Sequence, residues 1–460
     1  MEQFAALVKE ASDFVWDNIL LYVLLLTGIL FTLRLGFIQL RKFVAGWRQM
    51  FGGFSLSGKK ADKDGMSSFQ AAATSIAAQV GTGNIIGCST AMLSGGPGAI
   101  FWMWVAAFFG MATIYAEAVL AQKFKTRDDK GDVIGGPVYY IRAAFKGGFG
   151  KFLAGFFSIA IILALGLMGN MVQSNSISGA FYNAFGVPKF AVGIVVAVVA
   201  AFIFMGGVKR IASVTEKLVP VMAICYLLGC LIFIILNAGN VPNAFRMIFV
   251  GAFNPQAVVG GALGIGIQQA MRYGVARGLF SNEAGMGSTP HAHAMAKVEK
   301  PQDQGHIAIV CVFLDTFVVL TLTALVVLTS GLLNLDNFTA AKKIGADGLA
   351  QAAFSTTYGT FGAMFVAVCL LFFAFSTVIG WYFFGEQNVK YLFGTKAVRV
   401  YSVLVILCVF AGSLLKVDLV WNLADFFNAV MALPNLVGLL ALSGVVARIA
   451  KGQDTSERLK

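Results

Sequence analysis

The stretch from Met66 to Ala116 holds no charged residue, yet Gly81, Thr82, Gly83 and Asn84 stand in its middle. A run that long and that apolar reads as membrane-spanning helix. Glycine, threonine and asparagine are poor helix-interior residues. In hydrocarbon an opened helix leaves N–H and C=O groups unpaired, at roughly several kcal/mol each. Such a break persists only where protein, water or a ligand satisfies those groups. Broken helices near the bilayer midplane are how many secondary transporters build their sites. The expectation is a transporter with a site at 81–84.

The rest of the chain agrees with a polytopic membrane protein. It is 58% hydrophobic and 12% charged, with a mean hydropathy of +0.80; soluble domains carry about 25% charge. A helix needs about 20 apolar residues to cross. About eleven spans are expected, at 19–35, 67–93, 100–121, 152–180, 190–207, 214–236, 260–298, 307–332, 362–385, 400–415 and 419–449. The net charge of +12 follows topology rather than nucleic-acid binding, because no basic face exists apart from the loops. Arg41, Lys42, Arg48, Lys59, Lys60 and Lys63 follow the first span, and Arg448, Lys451, Arg458 and Lys460 form the tail. The alternate loops carry few basic residues, Lys342 and Lys343 excepted. This pattern predicts an outside N-terminus and a cytoplasmic C-terminus. Glu2, Glu10, Asp13 and Asp17 against Lys9 give the wrong sign for a cleavable signal. The six cysteines sit in apolar runs and read as small hydrophobes.

A second polar break lies about 200 residues after the first. Gln268, Gln269, Arg272 and Arg277 precede Ser281-Asn282-Glu283-Ala284-Gly285-Met286-Gly287-Ser288, and His291 and His293 follow. The expectation is one broken helix, with about twenty residues before the kink and about a dozen after. Setting the leading helix (17–36) apart leaves ten spans that divide five and five, each half opening on a broken helix (66–237 and 255–450). Five is odd, so the second half enters the bilayer inverted. Recurrent breaks at corresponding positions of two halves mark a transporter's binding site.

Gly95-Gly96-Pro97-Gly98-Ala99-Ile100-Phe101-Trp102-Met103-Trp104, with Tyr115-Ala116-Glu117, resembles the signature of the alanine or glycine:cation symporter family. Val80-Gly81-Thr82-Gly83-Asn84 and Gly278-Leu279-Phe280-Ser281-Asn282-Glu283-Ala284-Gly285-Met286-Gly287 resemble it too. The resemblance covers nearly the whole chain. It implies an all-α, LeuT-type fold, sodium-driven uptake of alanine or glycine without any other cofactor, and the inner or plasma membrane of a prokaryote.

A zwitterion in a low-dielectric site needs two kinds of partner. Its carboxylate suits freed N–H groups at the start of a half-helix, offered by Thr82, Gly83 and Asn84 and by the Ala284–Gly287 run. Its ammonium suits the unwound Phe280, Ser281 and Asn282 carbonyls and the Gln79 side chain. Gly81, Gly83 and Gly285 let the main chain approach closely, although glycines also serve plain helix crossing. By the resemblance, the carbonyls of Ala77, Val80 and Phe373 and the hydroxyls of Ser376 and Thr377 form a sodium cage. Such hydroxyls also bond their own i−4 carbonyls, and Thr377 has the alternative of facing the substrate. Trp381 and Phe280 are expected to wall the pocket, the alternative being core or lipid-facing aromatics, and Asn170 and Gln173 share a face that either lines the site or bonds neighbouring helices. Glu283 lies in the break itself. Glu117 and Asp315 are expected to pair with Arg272 or Arg277, the alternative being a proton or cation site.

Other functions meet obstacles. An embedded enzyme needs a nucleophile–base pair or ligand set at depth, and none appears. His291 and His293 are two apart and diverge on a helix. A channel assembles repeated subunits around a pore, whereas this chain carries its own repeat. The nearest rival is a proton-driven carrier of the same fold, using Glu117 or Glu283.

Overall fold

The computed structural model describes residues 2–52, 65–259, 266–334, 337–415 and 417–453. Lys59, Lys60, Lys63, Arg458, Lys460 and the expected start of the seventh span at Gly260 lie outside the described residues. Among the described residues, eight helices are long and apolar enough to cross a membrane. They are Ala6–Arg34, Ala99–Lys123, Gly148–Phe185, Gly207–Leu236, Pro301–Thr329, Thr360–Phe393, Thr395–Leu414 and Val420–Ala441. A shorter apolar helix, Lys189–Phe204, accompanies them. The remaining two expected spans are the interrupted ones. One comprises Ser68–Gln79 and Cys88–Gly95 and the other Ile267–Asn282 and Pro290–Ala294.

Three departures from expectation have physical causes. The first helix begins well before residue 17, because two of its acids gain a partner there: Arg272 bonds Asp13 at 2.7 Å and also pairs with Asp17. The half-helix after the second break is five residues long, not a dozen. It stops because the chain there pairs with the start of the first broken segment. Met66 N–H donates to Met295 O at 2.8 Å, and Lys297 N–H donates to Met66 O at 2.9 Å. Short amphipathic helices, Phe43–Phe51, Val241–Phe253 and Ala346–Tyr358, occupy stretches expected as loops.

The two broken segments run through the middle of the bundle, and small residues bring their neighbours close. The Ile267–Asn282 helix packs on Ala99–Lys123. The Thr360–Phe393 helix lies against the first half-helix, where Gly380 meets Ala78 so closely that an added Cβ would sit 2.9 Å from its methyl. That contact, one turn from Thr377, fixes how the helix presents its hydroxyls.

Candidate functional site

The first break is built locally. Ser67 and Gln70 form a reciprocal cap that starts the Ser68–Gln79 helix. Val80 turns to extended backbone (φ −82°, ψ 90°) and ends it. Gly81 N–H donates to Asn84 Oδ1 at 3.0 Å, and Thr82 N–H donates to Gln173 Oε1 at 3.3 Å. Helix then resumes with wide turns over Gly83–Gly87. The first N–H groups of any helix have no partner within it; here Asn84 N–H turns back to Gly81 O at 3.3 Å, which corrects the expectation that Asn84 offers a free N–H and leaves Thr82 and Gly83 at the half-helix start.

The second break is shaped by a turn that few residues tolerate. Glu283 is left-handed (φ 58°), one of two non-glycine residues with positive φ among those described, and Gly285 and Gly287 follow at φ 84° and 83°. The turn aims several N–H groups to one side. The chain itself takes them up. Gly285 N–H donates to Glu117 Oε2 at 3.0 Å and Gly287 N–H to Glu117 Oε1 at 2.9 Å. Asn435 adds a third bond to Glu117 at 2.7 Å and is itself held by the Tyr140 hydroxyl. Ala284 N–H goes to Asn282 Oδ1 and Met286 N–H to Glu283 O. The expectation that Ala284, Gly285 and Met286 offer free N–H groups to a substrate is therefore corrected: an internal carboxylate occupies that nest.

The two interruptions meet. Gln79 Nε2 donates across to Asn282 O at 2.7 Å, and the helix runs through Asn282, so the expectation of an unwound Phe280–Asn282 stretch with three free carbonyls is corrected: the Asn282 carbonyl is taken, and those of Phe280 and Ser281 belong to a helix end. Asp315 Oδ1 accepts from Asn84 of the first break at 2.7 Å and from Ser281 of the second at 3.0 Å. A Cβ on Gly83 would lie 3.1 Å from Ser281. Neither Glu117 nor Asp315 pairs with an arginine, contrary to expectation. Arg272 is taken by Asp13 and Asp17, and Arg277 grips Asp425 with two bonds of 2.9 and 2.8 Å. Both carboxylates are instead held by N–H, amide and hydroxyl donors. These donors come from segments distant in sequence, so only the rule that membrane acids are functional pointed toward them.

The five oxygens expected as a cation cage converge. Thr377 Oγ1 lies 2.9 Å from Ala77 O, 3.0 Å from Phe373 O and 3.5 Å from Val80 O. Ser376 Oγ lies 2.8 Å from Phe373 O and 3.2 Å from Ala77 O. Ala78 O, at 3.3 Å from Thr377 Oγ1, is an additional member. Each hydroxyl has one proton to give, and both reach Phe373 O of their own helix, the local bonding weighed as the alternative, while the Ala77, Ala78 and Val80 carbonyls at the end of the first half-helix add acceptors beside them. That donor set, all oxygen and uncharged, fits a small hard cation. Among the described residues no group of three His, Cys, Asp or Glu forms a transition-metal site. Thr377 thus turns to these carbonyls and to Gly81, whose added Cβ would fall 2.3 Å from Thr377 Oγ1.

Aromatic residues wall the site. Phe280 and Trp381 meet edge to face with centroids 6.0 Å apart, and Phe280 is 5.7 Å from Trp421. Trp381 Nε1 and Ser288 Oγ both donate to the Glu283 carboxylate, each at 2.5 Å. Asn170 bonds its own helix at Gly166 O, while Gln173, one turn away, reaches the break. Gln79 Oε1, Thr82 Oγ1 and Asn170 Oδ1 are buried with no protein partner. A buried polar atom without a partner costs about 1–3 kcal/mol, so three on expected site residues point to a polar ligand.

The sequence pattern of the sodium:alanine symporter family matches residues 1–458. The chain is 43% identical over 449 residues to the sodium/alanine symporter AgcS of Methanococcus maripaludis, covering 97% of each. It is 40% identical over 444 residues to the probable sodium/glutamine symporter GlnT of Bacillus subtilis, covering 96% of this chain and 88% of that one. Among solved structures, MhsT in complex with L-phenylalanine shares the fold, with a TM-score of 0.62 at 14% identity, over 87% of this chain and 95% of that one.

Proposed function

The chain belongs to the sodium:alanine symporter family, and from that premise we propose that it imports alanine, glycine or both with sodium, by alternating access. The proposed frame is a 5+5 inverted repeat, 66–237 and 255–450, behind one leading helix. It sits in a prokaryotic inner or plasma membrane with its N-terminus outside. The observation that carries the reading is the junction of the two breaks, where Gln79 and Asp315 tie them together beside unpartnered polar atoms.

The hydrogen bonds orient the substrate. Because Glu117 fills the second nest, the substrate carboxylate goes to the first half-helix, at the N–H groups of Thr82 and Gly83, displacing the long Gln173 contact. The ammonium faces the Phe280 and Ser281 carbonyls. The N–H groups that would continue the helix onto them are given instead to Asn282 and Glu117. Sodium sits in the Ala77, Val80, Phe373, Ser376 and Thr377 cage and bridges the first half-helix to the Thr360–Phe393 helix. On the outer side, the Arg277–Asp425 pair lies over Trp421 and Phe280. On the inner side, the Met66 pairing and the Ser75–His293 contact close the way. Opening either face breaks one set and keeps the other. The membrane potential contributes about 2.3 kcal/mol per charge per 100 mV, so one sodium supports roughly fifty-fold accumulation.

Thr377→Ala is expected to raise the sodium concentration for half-maximal uptake about tenfold, since one polar partner in a buried site is worth about 1–3 kcal/mol. Glycine and L-alanine are expected to compete with labelled alanine, and glutamine to compete weakly, because Phe280 and Trp381 leave room for a small side chain. Equal competition by glutamine would overturn the assignment of substrate class.

A further inference from the structure

A groove of about 410 Å³ lies between the Ser68–Gln79 half-helix, the Gly207–Leu236 helix and the Pro301–Thr329 helix. Every described residue lining it is apolar, Ile76, Val80, Val219, Ala223 and Val318 among them. Protein interiors hold few voids larger than a water molecule, and a water needs polar partners that this lining lacks. The rim is lipid-facing: Ile224, on the same helix, is exposed. At one end Trp47 and Phe51 border the groove. There Arg48, beside Trp47, and Lys217, two residues before Val219, are exposed, and the Phe43–Phe51 helix carries no acid. Glu216, the nearby acid of the long helix, is buried against Gln70, and Asp303 of the Pro301–Thr329 helix accepts from Gln49, next to Arg48, at 2.9 Å.

We infer that this groove takes an acyl chain of an anionic phospholipid, whose headgroup meets Arg48 and Lys217. Hydrocarbon is the solvent at its rim, and basic residues at a membrane surface attract anionic lipid. The tail has a functional neighbour. It lies against Ile76 and Val80, and the Val80 carbonyl belongs to the oxygen cage. Met222, also in the lining, has its sulfur 3.5 Å from Ser376 Oγ. A tail in the groove braces the first half-helix against moving outward, a consequence that rests on the alternating-access reading, whereas the binding itself does not.

The probe is phosphatidylglycerol with a photoreactive diazirine in its acyl chain, doped into phosphatidylcholine nanodiscs holding the full chain. Labelled peptides are then sequenced. Label is expected on peptides carrying Ile76 and Val219–Ala223, several-fold above peptides of the exposed face at Val198 and Phe202. The groove-filling variants Ala223→Phe and Val318→Phe are each expected to remove the groove label and keep the other. Groove labelling no higher than that of the exposed face, or unaffected by both fillers, would overturn the site, leaving another part of the chain as its cover. Equal labelling by a phosphatidylcholine analogue would overturn the headgroup assignment. Alanine binding, measured on the same discs, fails separately if the carrier reading is wrong.

Discussion

Glu117→Ala is expected to cut alanine uptake more than tenfold and to lower the unfolding temperature in detergent by several degrees. Glu117 is fully buried and accepts from Gly285 N–H, Gly287 N–H and Asn435. Asn435 keeps a second partner in Gly285 O, so the loss falls on the two backbone groups. Each buried donor left unsatisfied costs about 1–3 kcal/mol, and the side chain removed is itself 0% exposed. The left-handed turn at Glu283 then loses its anchor, and the Phe280 and Ser281 carbonyls drift from the substrate. Glu117→Gln sharpens the measurement. It keeps one acceptor oxygen but sets an amide N–H against a backbone N–H, so its defect is expected to fall between those of wild type and Glu117→Ala. An alanine variant with wild-type melting and uptake would remove Glu117 from the account.

Asp315→Ala is expected to abolish measurable alanine binding with less loss of stability. Asp315 joins the breaks to each other, through Asn84 on one side and Ser281 on the other. Asn84 retains the Asp315 backbone carbonyl at 3.2 Å, and so the fold survives. What is lost is the registration of the half-helix N–H groups against the free carbonyls at the end of the Ile267–Asn282 helix, where displacements of about 1 Å matter. Asp315→Asn keeps an oxygen between Asn84 and Ser281. Retained binding in that variant, against loss in the alanine one, separates an acceptor role from a need for charge. Equal binding by Asp315→Ala and wild type, in a scintillation assay on purified protein, contradicts the junction.

The breaks are legible because glycine, threonine and asparagine fall together inside an apolar run, which is more than helix crossing alone needs. The oxygen cage followed from a family resemblance and a single pair of hydroxyls, Ser376 and Thr377. The partners of the buried acids were not legible. Glu117 meets Gly285, Gly287 and Asn435 from more than 150 residues away, and hydropathy carries no record of such pairs. For the same reason the arginines were assigned to the wrong acids. Asp13 and Asp17 entered only as charges of the wrong sign for a signal, yet they sit on the first helix where they meet Arg272. The length of the second half-helix was missed because a backbone pairing with Met66, not a local stop signal, ends it.

Three carboxylates, Glu117, Glu283 and Asp315, are buried without an ion pair among the described residues. They keep a proton-driven carrier as the rival, against a cage of uncharged oxygens that favours sodium. Uptake of labelled alanine into proteoliposomes, with a sodium gradient and a pH gradient imposed separately, decides between them. Uptake is expected to follow the sodium gradient at constant pH and to fall in Thr377→Ala until sodium is raised. Uptake that follows the pH gradient and ignores sodium would contradict the sodium cage and the carrier built around it.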